Sequence, residues 1–85
     1  MSESPVPKRL RALRKERGIS QMALGAAIGI DEASTSARMS QYETGKHQIE
    51  YSILRKFADY FSVSVAYFYA DDDELAEMIR LSKKY

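Results

Sequence analysis

The chain contains no cysteine and only one histidine, and its two prolines, Pro5 and Pro7, both sit near the start. Without cysteine there are no disulfide staples and no cysteine-ligated metal site, a composition that suits a reducing cytosol. No apolar run approaches the roughly 18–20 residues of a membrane span, and the first residues lack the apolar core of a secretory leader. The expectation is a soluble, cytoplasmic protein with no membrane partner. One histidine, no glycine-rich phosphate loop behind a strand and no cluster of metal-ligand residues leave little to build catalysis on. The run Asp71-Asp72-Asp73-Glu74 is no exception, because contiguous acids point in different directions around a helix and suit its N-terminus. No catalytic residue, metal or cofactor is expected, and the chain does not read as an enzyme.

What is present is a single-domain length, 85 residues, with a net charge of only +1. The charge is unevenly spread. Residues 1–17 hold Lys8, Arg9, Arg11, Arg14, Lys15 and Arg17 against Glu3 and Glu16, a net of +4, whereas residues 70–85 hold five acids against three bases, a net of −2. A basic front and an acidic rear imply an oriented surface, with phosphate expected near the front.

Apolar spacing and punctuation predict helices throughout, and no segment alternates at period two long enough for a strand. Residues 1–6 read as a flexible arm. Pro7 suits a first helical turn, Leu10 and Leu13 share a face with the stem of Arg14, and Gly18 ends that helix as a left-handed cap with Ile19 folding back. Ser20 is a good N-cap for a short second helix carrying Leu24 and Ile28. Gly25 lies inside that helix, where glycine costs roughly 0.5–1 kcal/mol relative to alanine, so a close helix approach is expected there. Gly29 closes it. A third helix falls within residues 31–44, with Met39 and Tyr42 as inward anchors and Gly45 as its end. Ile53, Leu54, Phe57, Ala58 and Phe61 mark a fourth, Ser64 caps a fifth holding Val65 and Phe68, and Leu75, Met78 and Ile79 mark a sixth.

Ser20-Gln21, Leu24, Gly25, Gly29, Ile30, Met39, Tyr42, Glu43 and Gly45-Lys46 together resemble the helix-turn-helix of the lambda-repressor-like (Cro/CI, or XRE) family. The likeness covers about residues 7–69. It implies an all-α fold: a five-helix lambda-repressor-like DNA-binding domain, here followed by an additional C-terminal helix in residues 70–85. It further implies that the second helix braces on the phosphate backbone through Gln21 while the third enters the major groove of a double-stranded DNA operator. The base-reading positions then fall on Ser36, Ala37, Arg38 and Gln41, and backbone contacts on Thr44 and Lys46. Arg38 either binds guanine through two hydrogen bonds, neutralises a phosphate, or pairs with Glu32 or Asp31. Arg14 and Glu43 match positions that form a structural ion pair in many relatives.

One departure stands out. Ten positions separate Gly29 from Met39, where the family pattern has about six, so about one helical turn has been added. Either Thr35 is the N-cap and the turn is longer, or Asp31 caps a helix that starts a turn early, with Ala33, Ser34 and Ala37 small enough to pass the second helix. Asp31 is a strong cap, Glu32 suits a first turn and the added residues include no glycine or proline, which favours the longer helix. Ser34 and Thr35 then join the DNA-contact candidates.

Aromatic residues crowd the rear: Tyr60, Tyr67, Tyr69 and Tyr85 beside Phe57, Phe61 and Phe68. With the sixth helix they exceed what a minimal domain needs, so a homodimer built through residues 70–85 is expected. Three functions fit. One is a sequence-specific transcriptional regulator, most simply a phage- or prophage-like repressor. Another is a DNA-binding antitoxin whose rear surface takes a toxin partner. The last is a protein-interaction module that has lost DNA binding.

Overall fold

The computed structural model describes residues 4–82. The expectations for the tip of the N-terminal arm (residues 1–3) and for Tyr85 lie outside the described residues. Within them the chain forms α1 (Val6–Arg17), α2 (Gln21–Ala27), α3 (Glu32–Thr44), α4 (Tyr51–Phe61), α5 (Val65–Tyr69) and α6 (Asp73–Leu81), with no strand. Leu10, Leu13, Leu24, Met39, Leu54, Phe57, Phe61 and Phe68 fill a core to which the first five helices each contribute.

Local chemistry sets the boundaries. The Ser4 hydroxyl accepts from the Val6 N–H at 3.2 Å, and Pro7 lies in the first turn of α1. Gly18 ends α1 in the left-handed region (φ 67°), its N–H donating to Lys15 O and that of Ile19 to Arg14 O. These bonds satisfy carbonyls that the helix end would otherwise orphan. The Ser20 hydroxyl accepts from Ala23 N–H at 3.0 Å, and Ser64 does the same for Ala66 N–H at 3.1 Å. The acidic run serves as expected at the front of α6, where Asp72 accepts from the N–H groups of Glu74 and Leu75.

Two features of the rear escaped the pattern. Arg9 is buried: it donates from Nε to Ala70 O at 3.0 Å and from Nη1 to Asp73 Oδ1 at 2.8 Å, and its guanidinium lies 5.9 Å from the Tyr67 ring centre. Arg17 likewise turns onto Phe61, donating to its carbonyl at 3.0 Å. Half of the basic front therefore bonds to other elements, since Arg14 is also turned inward, although Arg17 stays exposed like Lys8, Arg11 and Lys15. Meanwhile α6 packs through Ala76 and half-buried Ile79, leaving Leu75, Met78 and Leu81 exposed.

Candidate nucleic-acid interface

The α2–α3 pair is built around one close contact. A Cβ on Gly25 would collide with Cγ2 of Thr35 and stand 3.3 Å from Met39 Cγ. Glycine is required because Thr35 occupies the space. After α2, Gly29 turns in the left-handed region (φ 91°) and Ile30 N–H reaches back to Gly25 O at 2.9 Å.

The added turn is helical. α3 runs thirteen residues from Glu32, so the longer helix forms rather than the longer loop. Two details of that expectation are corrected. Asp31 occupies the N-cap position but its side chain makes no capping bond. The small residues Ala33, Ser34 and Ala37 do not pass against α2, since all three are exposed. Thr35 does so instead: it is 1% exposed, and its hydroxyl donates to Asp31 O at 2.8 Å, with Ile30 O at 3.3 Å. Buried with its proton committed to the backbone, Thr35 is neither an N-cap nor available to DNA.

The inward residues Thr35, Met39, Tyr42 and Glu43 repeat at helical spacing, which fixes what faces out. Ser34, Ala37, Gln41 and Thr44 are exposed and follow one another at three- and four-residue steps, forming a stripe along the outer face. Arg38 flanks it, four residues from Ser34 and three from Gln41. Its guanidinium makes no ion pair or hydrogen bond among the described residues, so the expected alternative of pairing with Asp31 or Glu32 is not adopted. Ser36, two residues and so about 200° round the axis from Ser34, is exposed on another side of α3. The Thr44 hydroxyl donates to Ser40 O at 2.9 Å, leaving lone pairs outward. Lys46 is exposed in the turn that follows, and His47 stands with its ring 6.0 Å from Tyr42.

The helix is locked from behind. Glu43, whose side chain is 2% exposed, accepts from Arg14 Nε at 2.6 Å, Arg14 Nη2 at 3.0 Å and Gln21 Nε2 at 3.2 Å. Arg14 Nη1 also donates to Ile19 O at 2.9 Å. The Glu43 hydrogen bonds raise the Arg14 pKa above its ordinary value, outweighing the opposing effect of burial. One carboxylate thus joins the end of α1, the start of α2 and the end of α3. Gln21 serves here as a buttress, its amide N–H turned to Glu43 rather than outward.

A short brace and a longer exposed helix, held at a fixed angle by a glycine contact and a shared carboxylate, define the helix-turn-helix class. The family model described as "Helix-turn-helix domain" matches residues 8–68, and the chain belongs to this family of DNA-binding domains. The chain is 33% identical over 66 residues to the HTH-type transcriptional regulator y4aM of Sinorhizobium fredii, covering 78% of this chain and 43% of that protein. To the HTH-type transcriptional regulator PrpR of Mycobacterium tuberculosis it is 34% identical over 65 residues, 76% of this chain and 13% of that one. The chain thus spans less than half the length of either relative. Among solved structures it superposes on the transcriptional regulator BswR with a TM-score of 0.82 and 43% identity, covering 88% of this chain and 74% of the other.

Proposed function

We propose that the protein is a transcriptional regulator that binds double-stranded DNA in a sequence-specific manner, with α3 in the major groove. The observation that carries the reading is the exposed stripe Ser34, Ala37, Gln41 and Thr44, flanked by an unengaged Arg38 and set on a helix whose opposite face is fully anchored. Of these, Arg38 and Gln41 are the base readers, Arg38 through the bidentate geometry that suits guanine. Ser34 and Ala37 line the groove floor, and Thr44 and Lys46 meet the backbone. Repression is the simplest outcome, because occupying an operator needs no further machinery.

Selection from a random duplex library, followed by titration at several salt concentrations, tests the reading. Arg38→Ala is expected to relax preference at one base pair, a discrimination of about 1–3 kcal/mol, whereas Lys46→Ala weakens all sequences alike. Absence of any preferred sequence would remove the regulator reading and leave the interaction module. The apolar residues exposed on α6, Leu75, Met78 and Leu81, support a homodimer that reads two half-sites about one DNA turn apart. Sedimentation that stays monomeric well above micromolar concentrations would argue against that part.

A further inference from the structure

The outward face of α6 is arranged symmetrically about its own midpoint. Ala76 and Ile79 take the helix onto the body of the protein, and Leu75, Met78 and Leu81 are left exposed. Met78, 65% exposed, is central, with Leu75 three residues before it and Leu81 three after. Glu74 and Ser82, four residues to either side, are exposed and lie within about 40° of Met78 around the axis. Charge follows the same midpoint with opposite sign: Asp71, Asp72, Asp73 and Glu74 come before it, and Lys83 and Lys84 come after it in the sequence. Glu77 and Arg80, between these ends, pair with each other at 3.4 Å. We propose that this face is covered by α6 of a second copy of the chain, packed antiparallel about a two-fold axis at Met78. The inference rests on the homodimer reading given above and adds the orientation and register of the pair.

Three exposed apolar side chains are common on a protein surface and by themselves select no partner. What selects a second copy is self-complementarity. A two-fold contact brings one patch against itself, so each end must suit whatever the symmetry places opposite. In a parallel pair every residue meets its own copy. The acidic run 71–74 would then face the same four acids, with the two helix dipoles aligned. Antiparallel pairing about Met78 instead sets each residue before it against the one equally far after it. Leu75 comes level with Leu81 of the partner subunit, and Glu74 with Ser82 of the partner subunit. Asp73 and Asp72 come level with positions 83 and 84, both lysine in the sequence. Opposite charges thus close both ends of an apolar centre, and the helix dipoles oppose each other. Asp72 and Asp73 also serve within the chain, as the cap of α6 and the partner of Arg9, whereas the Glu74 carboxylate makes no ion pair among the described residues. An unrelated partner would need charges that match α6, but it would not need α6 to match itself.

The chain has no cysteine, so single cysteines can report the geometry. Met78→Cys, Glu74→Cys and Ser82→Cys all change exposed residues, and the helical circular dichroism of each should match the parent. The variants are oxidised with diamide, alone and mixed, at a concentration where the parent sediments as a dimer, and cross-linking is followed with time. Met78→Cys is expected to cross-link with itself. Glu74→Cys mixed with Ser82→Cys should cross-link roughly tenfold faster than either alone, because like positions stand about 12 Å apart along the axis and a disulfide needs Cα atoms within about 7 Å. Rapid cross-linking of Glu74→Cys with itself would mean parallel pairing and overturns the proposal. A parent that dimerises while Met78→Cys fails to cross-link has its interface elsewhere, which overturns the α6 pair and leaves the homodimer reading intact. A parent that stays monomeric well above micromolar concentrations overturns both, and selection from the duplex library still tests DNA binding separately.

Discussion

The front of the molecule, α1 to α3, and its rear, α5 and α6, use the same few interactions to opposite effect. At the front, buried polar groups converge: one carboxylate, Glu43, takes hydrogen bonds from two other helices, and Gly25 and Thr35 lock α2 onto α3. At the rear, α6 is tied down at its edges by Arg9–Asp73 and by Arg80–Glu16 at 3.0 Å, with both acids largely exposed. It buries little apolar surface of its own, Ala76 and part of Ile79, while its larger side chains face solvent. A pair whose acid is exposed contributes less than one buried on both sides, which is costly to break. The front is over-determined, as a surface that must meet a rigid partner requires. The rear is held lightly and leaves its larger apolar side chains exposed.

Breaking Glu43 should produce the largest effect. Glu43→Ala leaves the Arg14 guanidinium mostly buried and unpaired and strips the partner from Gln21, so a loss of about 3–5 kcal/mol in urea denaturation is expected. A loss below about 1 kcal/mol would mean that the front is no tighter than the rear. Gly25→Ala comes next. Its Cβ must displace the Thr35 methyl or force α2 from α3, at about 1–3 kcal/mol, partly offset by alanine's better helix propensity. Thr35→Ser removes that methyl and keeps the hydroxyl bonded to Asp31 O. The double variant Gly25→Ala/Thr35→Ser should therefore recover most of the loss. Strict additivity in this double-mutant cycle would show that the contact does not set the helix angle.

The difference between the two regions also governs what could be read in the sequence. Caps were legible because they are local: Ser20, Ser64, Gly18 and Gly45 act within a few residues of themselves. Gly25 announced a close approach, and the absence of breakers after Asp31 announced the long helix. What approaches Gly25 was not legible. Thr35 satisfies its hydroxyl on the carbonyl four residues back, which lets a polar residue take an apolar seat. Nor did the basic front reveal that Arg9 turns inward or that Arg17 reaches across to α4, since their acceptors, Ala70 O and Phe61 O, lie 61 and 44 residues away. One signal for Arg9 was present: Val6, Arg9, Leu10 and Leu13 share a single helical face, so an arginine filled a slot in an apolar ridge. The outward turn of Leu75, Met78 and Leu81 had no such signal, because periodicity marks an apolar face without saying what covers it.

The rear should answer to pH through one carboxyl, that of Asp73. The Asp73 carboxyl is held below its ordinary pKa, first by the hydrogen bond from Arg9 and then by the charges of Lys8 and Arg9. A depressed folded-state pKa stabilises the anchored state fully above the ordinary carboxylate value, and that contribution fades as pH falls through the lowered one. Anchoring of α6 should accordingly weaken below about pH 4, where unpaired aspartate begins to protonate. Hydrogen exchange of α6 amides against those of α3, measured from pH 6 down to pH 3 and corrected for intrinsic rates, resolves the two regions separately. Protection of α6 is expected to drop relative to that of α3 as the pH falls. In Asp73→Asn the Arg9 bond becomes neutral, so α6 should be less protected at pH 6 and its remaining pH dependence smaller. If α6 and α3 lose protection together at every pH, the two regions open as one unit and the latch carries no separate role.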